Sequence, residues 1–334
     1  MFDVPAVLVT VAGVQGSVPR EAGARMLVTQ DGQADTIGGG HLEMRAVEIA
    51  RAMLQDGRPR HTERFALGPS LGQCCGGVMV LAFELADAAL ARLLDDRRQQ
   101  DSWRLVAFDG APDNALFDAG GRQLAGTCAP SFLTGCGTHL MQEADGRRWL
   151  VDQVAAPRAH LLLFGAGHVG GAIVRTLAQL PCSVTWVDER DDMFPGEVPD
   201  NVTVEATDSP ESLVAAAPPG ATYLVMTHSH ALDQRLAEAI LARADVSWFG
   251  LIGSLTKRRQ FEHRLRERGV PGLRIDAMVC PVGLPGITGK APAVIAASVC
   301  AQLLALWEQA DAVRAHAGLK GDVSALRLVA SCKT

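Results

Sequence analysis

Apolar and polar positions in the first half of the chain form short runs separated by glycine-rich turns. These runs predict strands over residues 7–11, 25–29, 62–67, 78–83 and 103–108. Helical spacing of apolar residues predicts helices over residues 42–54 and 86–98, and residues 111–154 indicate further short strands and turns. The pattern therefore predicts an N-terminal α/β domain with a mixed sheet over residues 1–154.

Strand and helix patterns alternate regularly in the second half, after a short linker at residues 155–157. Strands are predicted over residues 160–164, 183–187, 201–205, 222–226 and 248–252, and helices over residues 170–180, 232–242, 255–268 and 291–307. Alternation of this kind is typical of a doubly wound parallel sheet. We therefore expect a C-terminal Rossmann-like domain over residues 158–334.

Composition narrows the class of protein. The 334 residues are 48% hydrophobic and 20% charged, which is globular composition with room for two domains. A net charge of −6 and 5% aromatic residues argue against a nucleic-acid binder. The eight cysteines are scattered, as in reduced cytoplasmic proteins, and no signal peptide or apolar run approaching a membrane span is seen. We expect a cytoplasmic protein that binds neither nucleic acid nor membrane.

The segment GQCCGG at residues 72–77 carries the most distinctive chemistry. Cys74 and Cys75 cannot both enter one core, so at least one of them is expected to face a cleft or solvent, between Gln73 and Gly76. An accessible thiol can ligate a soft metal, carry sulfur or attack an electrophile. A turn with one buried and one idle cysteine explains the same residues equally well.

Two other segments of the first half suggest anion binding. Gly39, Gly40 and His41 open a predicted helix, where several free amides would favour an anion. Arg20 lies in a glycine-bounded loop at residues 16–23. It either binds an anion or forms a surface pair with Glu21.

The second half contains a GxGxxG segment directly after a strand. In the dinucleotide fingerprint, Gly165 makes the turn, Gly167 admits a pyrophosphate, and Gly170 allows close packing of helix on strand. Asp188, 18 positions further on, either holds a ribose hydroxyl or ends a strand. His168 lies at the rim or touches a ligand. Because fold and function are separable, binding of NAD(P) stays open.

Polar residues also follow two later strands of this sheet. His228 and His230 come directly after one strand, at the edge where ligands bind in open α/β sheets, and an exposed polar turn is the equal alternative. Asp233 either orients one of these histidines or caps the following helix. Lys257 and Arg258, after the next strand, are candidates to bind a phosphate.

Seven motifs in order resemble one family. They are GSVPR with Gly23, GGGHLE at residues 38–43, GQCCGG at residues 72–77, GAGHVG at residues 165–170, HSHALD at residues 228–233, GLIGS at residues 250–254 and CPVG at residues 280–283. The whole chain resembles the xanthine dehydrogenase accessory protein family, XdhC, which is related to the CoxI proteins. Many relatives carry cysteine or serine at the position of His41.

The resemblance implies a cytosolic chaperone without turnover chemistry. Such a protein holds the molybdenum cofactor (Mo-molybdopterin), protects it, and inserts it into apo xanthine dehydrogenase, while a cysteine desulfurase supplies sulfur. A homodimer is also implied. Cys74 and Cys75 would be molybdenum ligands, whereas Arg20, residues 38–40 and Lys257 would bind the anionic part. We expect the cofactor to lie in a cleft between the two domains.

Two other functions stay open. An NAD(P)-dependent oxidoreductase would use the Rossmann domain, and it would leave the two adjacent thiols without a role. A sulfurtransferase would carry a persulfide on Cys75, with or without the chaperone function.

Overall fold

The computed structural model describes residues 4–68, 76–98, 100–127, 129–134, 136–157 and 159–321. The chain separates into two compact units, of which the first comprises residues 1–156 and the second residues 157–326. Gln73, Cys74 and Cys75 lie outside the described residues.

The first sheet of the amino-terminal unit is antiparallel. Its strands and the neighbouring helices are β1 (Ala6–Gln15), β2 (Arg25–Thr29), β3 (Gln33–Asp35), α1 (Gly40–Asp56), β4 (Arg60–Ala66), β5 (Val78–Leu85) and α2 (Ala88–Asp96). The strand order is β3-β2-β1-β5-β4. One face buries alternate residues of β1, such as Val7 and Val9, against Leu42 and Ala46 of α1. Helix α1 therefore covers only one side of this sheet.

A second antiparallel sheet follows in the same unit. Its strands are β6 (Ser102–Ala107), β7 (Asn114–Asp118), β8 (Gln123–Gly126), β9 (His139–Gln142) and β10 (Arg148–Val154), in the order β8-β7-β6-β10-β9. Ala12 and Ala82 of the first sheet pack with Val106 and Leu150 of the second. The two sheets therefore face each other through the side of the first sheet that α1 leaves uncovered.

The carboxyl-terminal unit is built on a parallel sheet. Its elements are β11 (Ala159–Phe164), α3 (His168–Leu177), β12 (Cys182–Asp188), β13 (Val202–Ala206), α4 (Pro210–Ala216), β14 (Thr222–Val225), α5 (His230–Ala242), β15 (Trp248–Leu251), α6 (Leu255–Glu267), α7 (Gly272–Asp276) and α8 (Pro292–Gly321). The strand order is β13-β12-β11-β14-β15. Separate apolar cores cover the two faces, with α5 and α6 on one face and α3 and α8 on the other.

The predicted fold class is confirmed in its main features, a separate amino-terminal unit followed by a Rossmann-like parallel sheet. One detail was wrong, because all the paired strands described in the first unit are antiparallel rather than mixed. Helix α1 joins β3 to β4, which lie at opposite edges of the first sheet, so it does not link neighbouring strands as a parallel crossover would.

Helix α8 also corrects an expectation about apolar runs. By length and composition alone, Pro292–Val313 is long and apolar enough to cross a membrane, with a mean hydropathy of 1.4. A core helix passes the same test, and α8 packs along α3 with Ala296, Val299 and Leu303 in the core. The run therefore fits a packed helix of the Rossmann-like unit.

Candidate functional site

Three glycine-containing segments of the first unit meet at one place. A Cβ atom added to Gly77 would lie 2.4 Å from the carbonyl oxygen of Ser17, and one added to Gly38 would lie 2.6 Å from Cγ of Pro19. Real Cβ atoms do not approach other atoms so closely, so only glycine fits at both positions. We call residues 16–23, 38–41 and 76–77 together the glycine surface.

Arg20 lies on the glycine surface and is partly exposed. Its Nη1 donates to the carbonyl oxygen of Thr36 at 3.2 Å, and its Nη2 pairs with Glu21 Oε1 at 3.1 Å. The Arg20 and Glu21 side chains are 37% and 71% exposed, so this ion pair contributes little to stability. An anionic ligand could therefore replace Glu21 at small cost.

The amides of the glycine segment at residues 37–39 are not free, contrary to the prediction. Glu43 Oε2 accepts hydrogen bonds from the backbone N–H groups of Ile37 and Gly39, both at 3.1 Å, and from the Thr36 hydroxyl. The Gly38 N–H donates to Thr36 Oγ1 at 3.0 Å. Glu43 therefore occupies the position that an external anion was expected to take at these amides.

Gly40 and His41 are the exposed end of this segment. Gly38, Gly39 and Gly40 all have positive φ, at 124°, 72° and 65°, which L-residues with side chains rarely adopt. Gly40 and His41 begin α1 and face solvent. They are the part of the predicted anion site that the Glu43 carboxylate leaves accessible.

The role of Glu43 was missed from the sequence. Its position near the start of α1 resembles the spacing of a capping box, in which a glutamate reaches back to an amide at the helix start. Burial acts to raise the pKa of Glu43, but hydrogen bonds from Thr36, Gly39, Ile37 and Gln33 outweigh it and lower the pKa. The side chain is therefore a carboxylate at neutral pH.

Replacing Glu43 should loosen the glycine surface. Because Glu43→Ala leaves several donors without their acceptor, we expect a loss of about 1–2 kcal/mol in the free energy of unfolding at pH 7. The lowered pKa means that this stabilisation is complete above the unfolded pKa, about 4.3, and is lost as pH falls through the folded pKa. Urea denaturation between pH 3 and 7 measures it. Glu48→Ala, which removes an exposed pair with Arg45, is the control and should change little.

The thiols of the described cysteines are of two kinds. Cys182, Cys280 and Cys300 are buried, whereas Cys136 is partly exposed. Burial raises the pKa of Cys182 to about 11 and that of Cys300 to about 12, so both remain protonated at neutral pH. Neither provides a thiolate to a metal.

Four loops of the second unit emerge at the carboxyl edge of the parallel sheet. They follow β11, β12, β14 and β15, and the predicted site residues of this unit lie in these loops, at the end of β12 or in the first turns of the helices that follow. The sheet order places β11 beside β14, although α3, β12, β13 and α4 separate them along the chain, so the strand order reverses between them. In open α/β sheets, ligands bind at this reversal point.

The fingerprint glycines have the geometry that the sequence predicted. Gly165 has φ of 122°, and a Cβ atom there would lie 2.5 Å from the carbonyl oxygen of Met226. A Cβ atom on Gly170 would lie 2.2 Å from the carbonyl oxygen of Gly165, whereas one on Gly167 would meet nothing within 4 Å. The first and third glycines are therefore needed for packing, and the second faces open space where a ligand can approach.

Asp188 is fully engaged within the chain. Its carboxylate accepts from the Ala166 N–H at 2.7 Å, from the Arg190 N–H at 3.0 Å, and from Arg190 Nε and Nη2 at 2.9 and 3.1 Å. Burial acts to raise the pKa of Asp188, but Arg190 and these amides outweigh it and lower the pKa. A ribose hydroxyl would have to displace Arg190.

The crevice beside Asp188 is also small. It is lined by Asp188, Thr227 and His228, among others, and has a volume of about 10 Å³. That is room for about one water molecule. Together with the engaged carboxylate, this size does not favour the oxidoreductase alternative, because an adenosine group would require the crevice to open.

Lys257 and Asp233 form an ion pair, which changes both predicted roles. Lys257 Nζ donates to Asp233 Oδ2 at 2.7 Å and to the carbonyl oxygen of Ile252 at 2.8 Å. Asp233 Oδ1 accepts from the N–H and hydroxyl of Thr227. Asp233 therefore orients neither histidine, and Lys257 is not an unpaired cation for a phosphate. Arg258 is likewise engaged, with Glu262 and the carbonyl oxygen of Cys280.

The histidines at the carboxyl edge are exposed. His168 is the first residue of α3, which follows β11. His228 lies in the loop after the adjacent strand β14, and His230 is the first residue of α5, so all three lie near the reversal point. Among the described residues, no group of three or more histidine, cysteine, aspartate or glutamate side chains is placed to hold a metal ion. The exposed histidines and the open approach to Gly167 are the groups that this edge offers to a ligand.

Fold and sequence motifs together define a two-unit protein, a glycine-rich antiparallel unit followed by a Rossmann-like unit. A family model for the XdhC and CoxI family matches residues 3–66, and a model for the XdhC Rossmann domain matches residues 161–303. Together they match more than half of the chain. The protein belongs to the XdhC and CoxI family.

Two individual proteins are similar over most of the chain. The uncharacterized protein YqeB of Escherichia coli (strain K12) is 25% identical over 305 residues, which are 90% of this chain and 43% of that protein. The chain therefore spans less than half the length of this curated relative. A crystal structure from Bacillus halodurans, described as that of a xanthine dehydrogenase, has a TM-score of 0.71 at 21% identity, covering 92% of this chain and 93% of that one. This likeness supports the fold.

Proposed function

We propose that this protein takes part in the maturation of xanthine dehydrogenase by binding the molybdenum cofactor as cargo, protecting it and inserting it into the apo-enzyme. Membership of the XdhC and CoxI family supports this proposal. The observation that carries it furthest is the glycine surface, because Gly76 and Gly77 follow directly on Cys75 in the sequence and Gly77 packs against the loop that carries Arg20.

The chemistry of the cargo suits residues of the first unit. Its molybdenum is held by a dithiolene and prefers soft sulfur donors, which Cys74 or Cys75 would supply as thiolate. Its phosphate needs cations and amides, which Arg20, Gly40 and His41 would supply from the exposed part of the glycine surface. Gln73 and Gly76 flank the thiols and would shape their approach.

The carboxyl edge of the second unit would bind a phosphate-bearing group. Gly167 faces open space at the start of α3, where backbone amides favour an anion. His168 and His230 are exposed at the starts of α3 and α5, and His228 is exposed in the loop after β14. The group bound there is either part of the cargo or a nucleotide such as NAD(P).

The proposed partners follow from the cargo. The molybdenum subunit of apo xanthine dehydrogenase would receive the cofactor, and a cysteine desulfurase would supply sulfur to it while it is held. A homodimer in the cytoplasm is part of the same proposal. No turnover by this protein itself is needed.

The proposal is tested by replacing the two adjacent cysteines. The protein is expressed in a molybdenum-replete host, purified, and assayed for molybdenum by mass spectrometry and for oxidised pterin by fluorescence. The Cys74→Ala/Cys75→Ala variant should retain about tenfold less of both than the unchanged protein, because the soft ligands are gone. The single variants assign the ligand.

Cys136→Ala is the matched control, since it removes a partly exposed thiol elsewhere in the same unit. It should retain as much molybdenum and pterin as the unchanged protein. Equal retention by the double cysteine variant would remove the thiolate role. Absence of molybdenum and pterin from the unchanged protein would contradict cofactor binding itself.

A further inference from the structure

The amino-terminal unit contains a cavity that the proposed function does not use. It has a volume of about 290 Å³. It lies on the face of the first sheet that points away from α1, since Leu8 alternates with the buried residues Val7 and Val9. Small-molecule sites begin at about this size, roughly 300 Å³.

One cross-strand row of the sheet forms the floor of this cavity. Ala34, Leu27, Leu8 and Glu84 are direct neighbours on β3, β2, β1 and β5, and all four line the cavity. The sheet therefore offers three apolar side chains in a line that ends at one carboxylate.

Helix α2 forms the opposite wall. Leu94 lies one turn after Leu90 and Ala91 on the same side of the helix. All three line the cavity, yet none of them is fully buried. Asp87 begins the helix by accepting from the N–H groups of Ala89 and Leu90 at 2.9 and 3.1 Å. The apolar face of α2 is therefore only partly covered by the sheet.

The charged groups at the cavity are already neutralised. Arg104 pairs with Glu84 and, at 2.8 Å, with Asp152, and Arg25 pairs with Asp152 at 2.7 Å. Two guanidinium groups thus face two carboxylates. The remaining charged lining residues, Asp35 and Asp87, are both acidic, so a ligand anion would meet net repulsion.

We propose that this cavity binds a non-anionic, largely apolar small molecule of up to three rings, which would complete the packing between α2 and the sheet. The ligand is expected to be largely apolar because the cavity has apolar walls on both sides, and burying apolar surface of a ligand between them stabilises its complex with the protein. The paired floor and the acidic Asp35 and Asp87 disfavour an anion, since a buried negative charge needs an unpaired cationic partner that the lining does not supply. This site is independent of the proposed cofactor cargo.

Two matched dyes test the proposal. N-phenyl-1-naphthylamine is neutral and fluoresces in apolar surroundings, whereas 8-anilinonaphthalene-1-sulfonate adds one sulfonate to the same skeleton. The neutral dye should bind saturably at one site per chain, with an affinity at least about tenfold above that of the sulfonate. Failure of the neutral dye to saturate, or equal binding of the two dyes, would overturn the proposal.

A pair of tryptophan variants locates the site. Ala91→Trp fills the cavity from α2 and should weaken binding of the neutral dye by at least about tenfold. Ala89→Trp places the same side chain on the exposed side of α2 and should leave the affinity within about twofold. Unchanged binding by Ala91→Trp would show that the dye binds elsewhere.

A second variant that fills the cavity is used in case Ala91→Trp does not fold. Ala86→Leu fills the cavity from the end of β5, and its backbone hydrogen bond to Ala6 is kept. Circular dichroism identifies which filling variant is folded. If either Ala91→Trp or Ala86→Leu is folded and still binds the neutral dye with unchanged affinity, the dye does not bind in this cavity.

Discussion

The Asp152→Ala variant is expected to lose about 3–5 kcal/mol of its free energy of unfolding, because it removes the carboxylate shared by the buried guanidinium of Arg104 and the partly buried one of Arg25. Asp152 is fully buried and accepts hydrogen bonds from Arg25, Arg104 and the Thr138 hydroxyl. Arg104 is itself only 3% exposed and keeps Glu84 as its other carboxylate partner. The variant therefore removes the acceptor that three side chains share.

The measurement is urea denaturation at pH 7, followed by circular dichroism in both the far and near ultraviolet. Asp95→Ala, which breaks an exposed pair with Arg98, is the control and should cost less than about 1 kcal/mol. If Asp152→Ala cost no more than the control, the buried network would contribute nothing to the stability of the first unit.

Lowering the pH should remove the contribution of Asp152 to the free energy of unfolding of the unchanged protein. Burial acts to raise the pKa of Asp152, but Arg25 and Arg104 outweigh it and lower the pKa. A lowered folded pKa gives stability that is complete above the unfolded pKa, about 3.9, and lost as pH falls through the folded value. The difference between the unchanged protein and Asp152→Ala should thus be constant from about pH 5 to 8 and shrink in stronger acid.

The Rossmann-like unit could be predicted from the sequence because its signals are local. Each strand is a short apolar run, each helix follows within a few residues, and the glycine fingerprint joins β11 to α3 directly. Such patterns fix strand order and handedness with few alternatives. The predicted turn at Gly165 and the predicted close packing at Gly170 are confirmed for the same reason, and Gly167 has the open space that was predicted for it.

The buried network could not be predicted, because its members are far apart in the sequence. Arg104 lies 48 residues before Asp152, and Arg25 lies 127 residues before it. Nothing in the spacing of these residues indicates that they meet. Their contact depends on how the two sheets pack, which the pattern of apolar residues within each strand does not specify.

The same limit explains why three groups assigned to a ligand are held by the chain itself. Gly39 donates to Glu43, Asp188 pairs with Arg190, and Lys257 pairs with Asp233. In each case the residue type was a sound indicator of charge or hydrogen bonding. The partner was missed for one reason. Local spacing indicates that a group needs a hydrogen-bond or ion-pair partner, but it does not indicate whether a ligand or another residue of the protein is that partner.

Adjacent glycines of α3 should respond to alanine in opposite directions, which separates packing from helix propensity. In Gly170→Ala the new Cβ atom would lie 2.2 Å from the carbonyl oxygen of Gly165, a backbone atom that already accepts from Trp186 Nε1 at 3.1 Å. The helix must therefore move away from β11. We expect a loss of about 1–3 kcal/mol in the free energy of unfolding, the usual cost of overpacking a core.

In Gly171→Ala the nearest atom to the new Cβ atom is Nη1 of Arg175, at 3.4 Å, which lies at the end of a flexible side chain. The residue is helical and its φ is not positive, so alanine should raise the free energy of unfolding by up to about 1 kcal/mol. Denaturation of both variants under one set of conditions should separate them by about 1–4 kcal/mol. Equal stability of the two variants would mean that α3 does not lie against the Gly165 carbonyl.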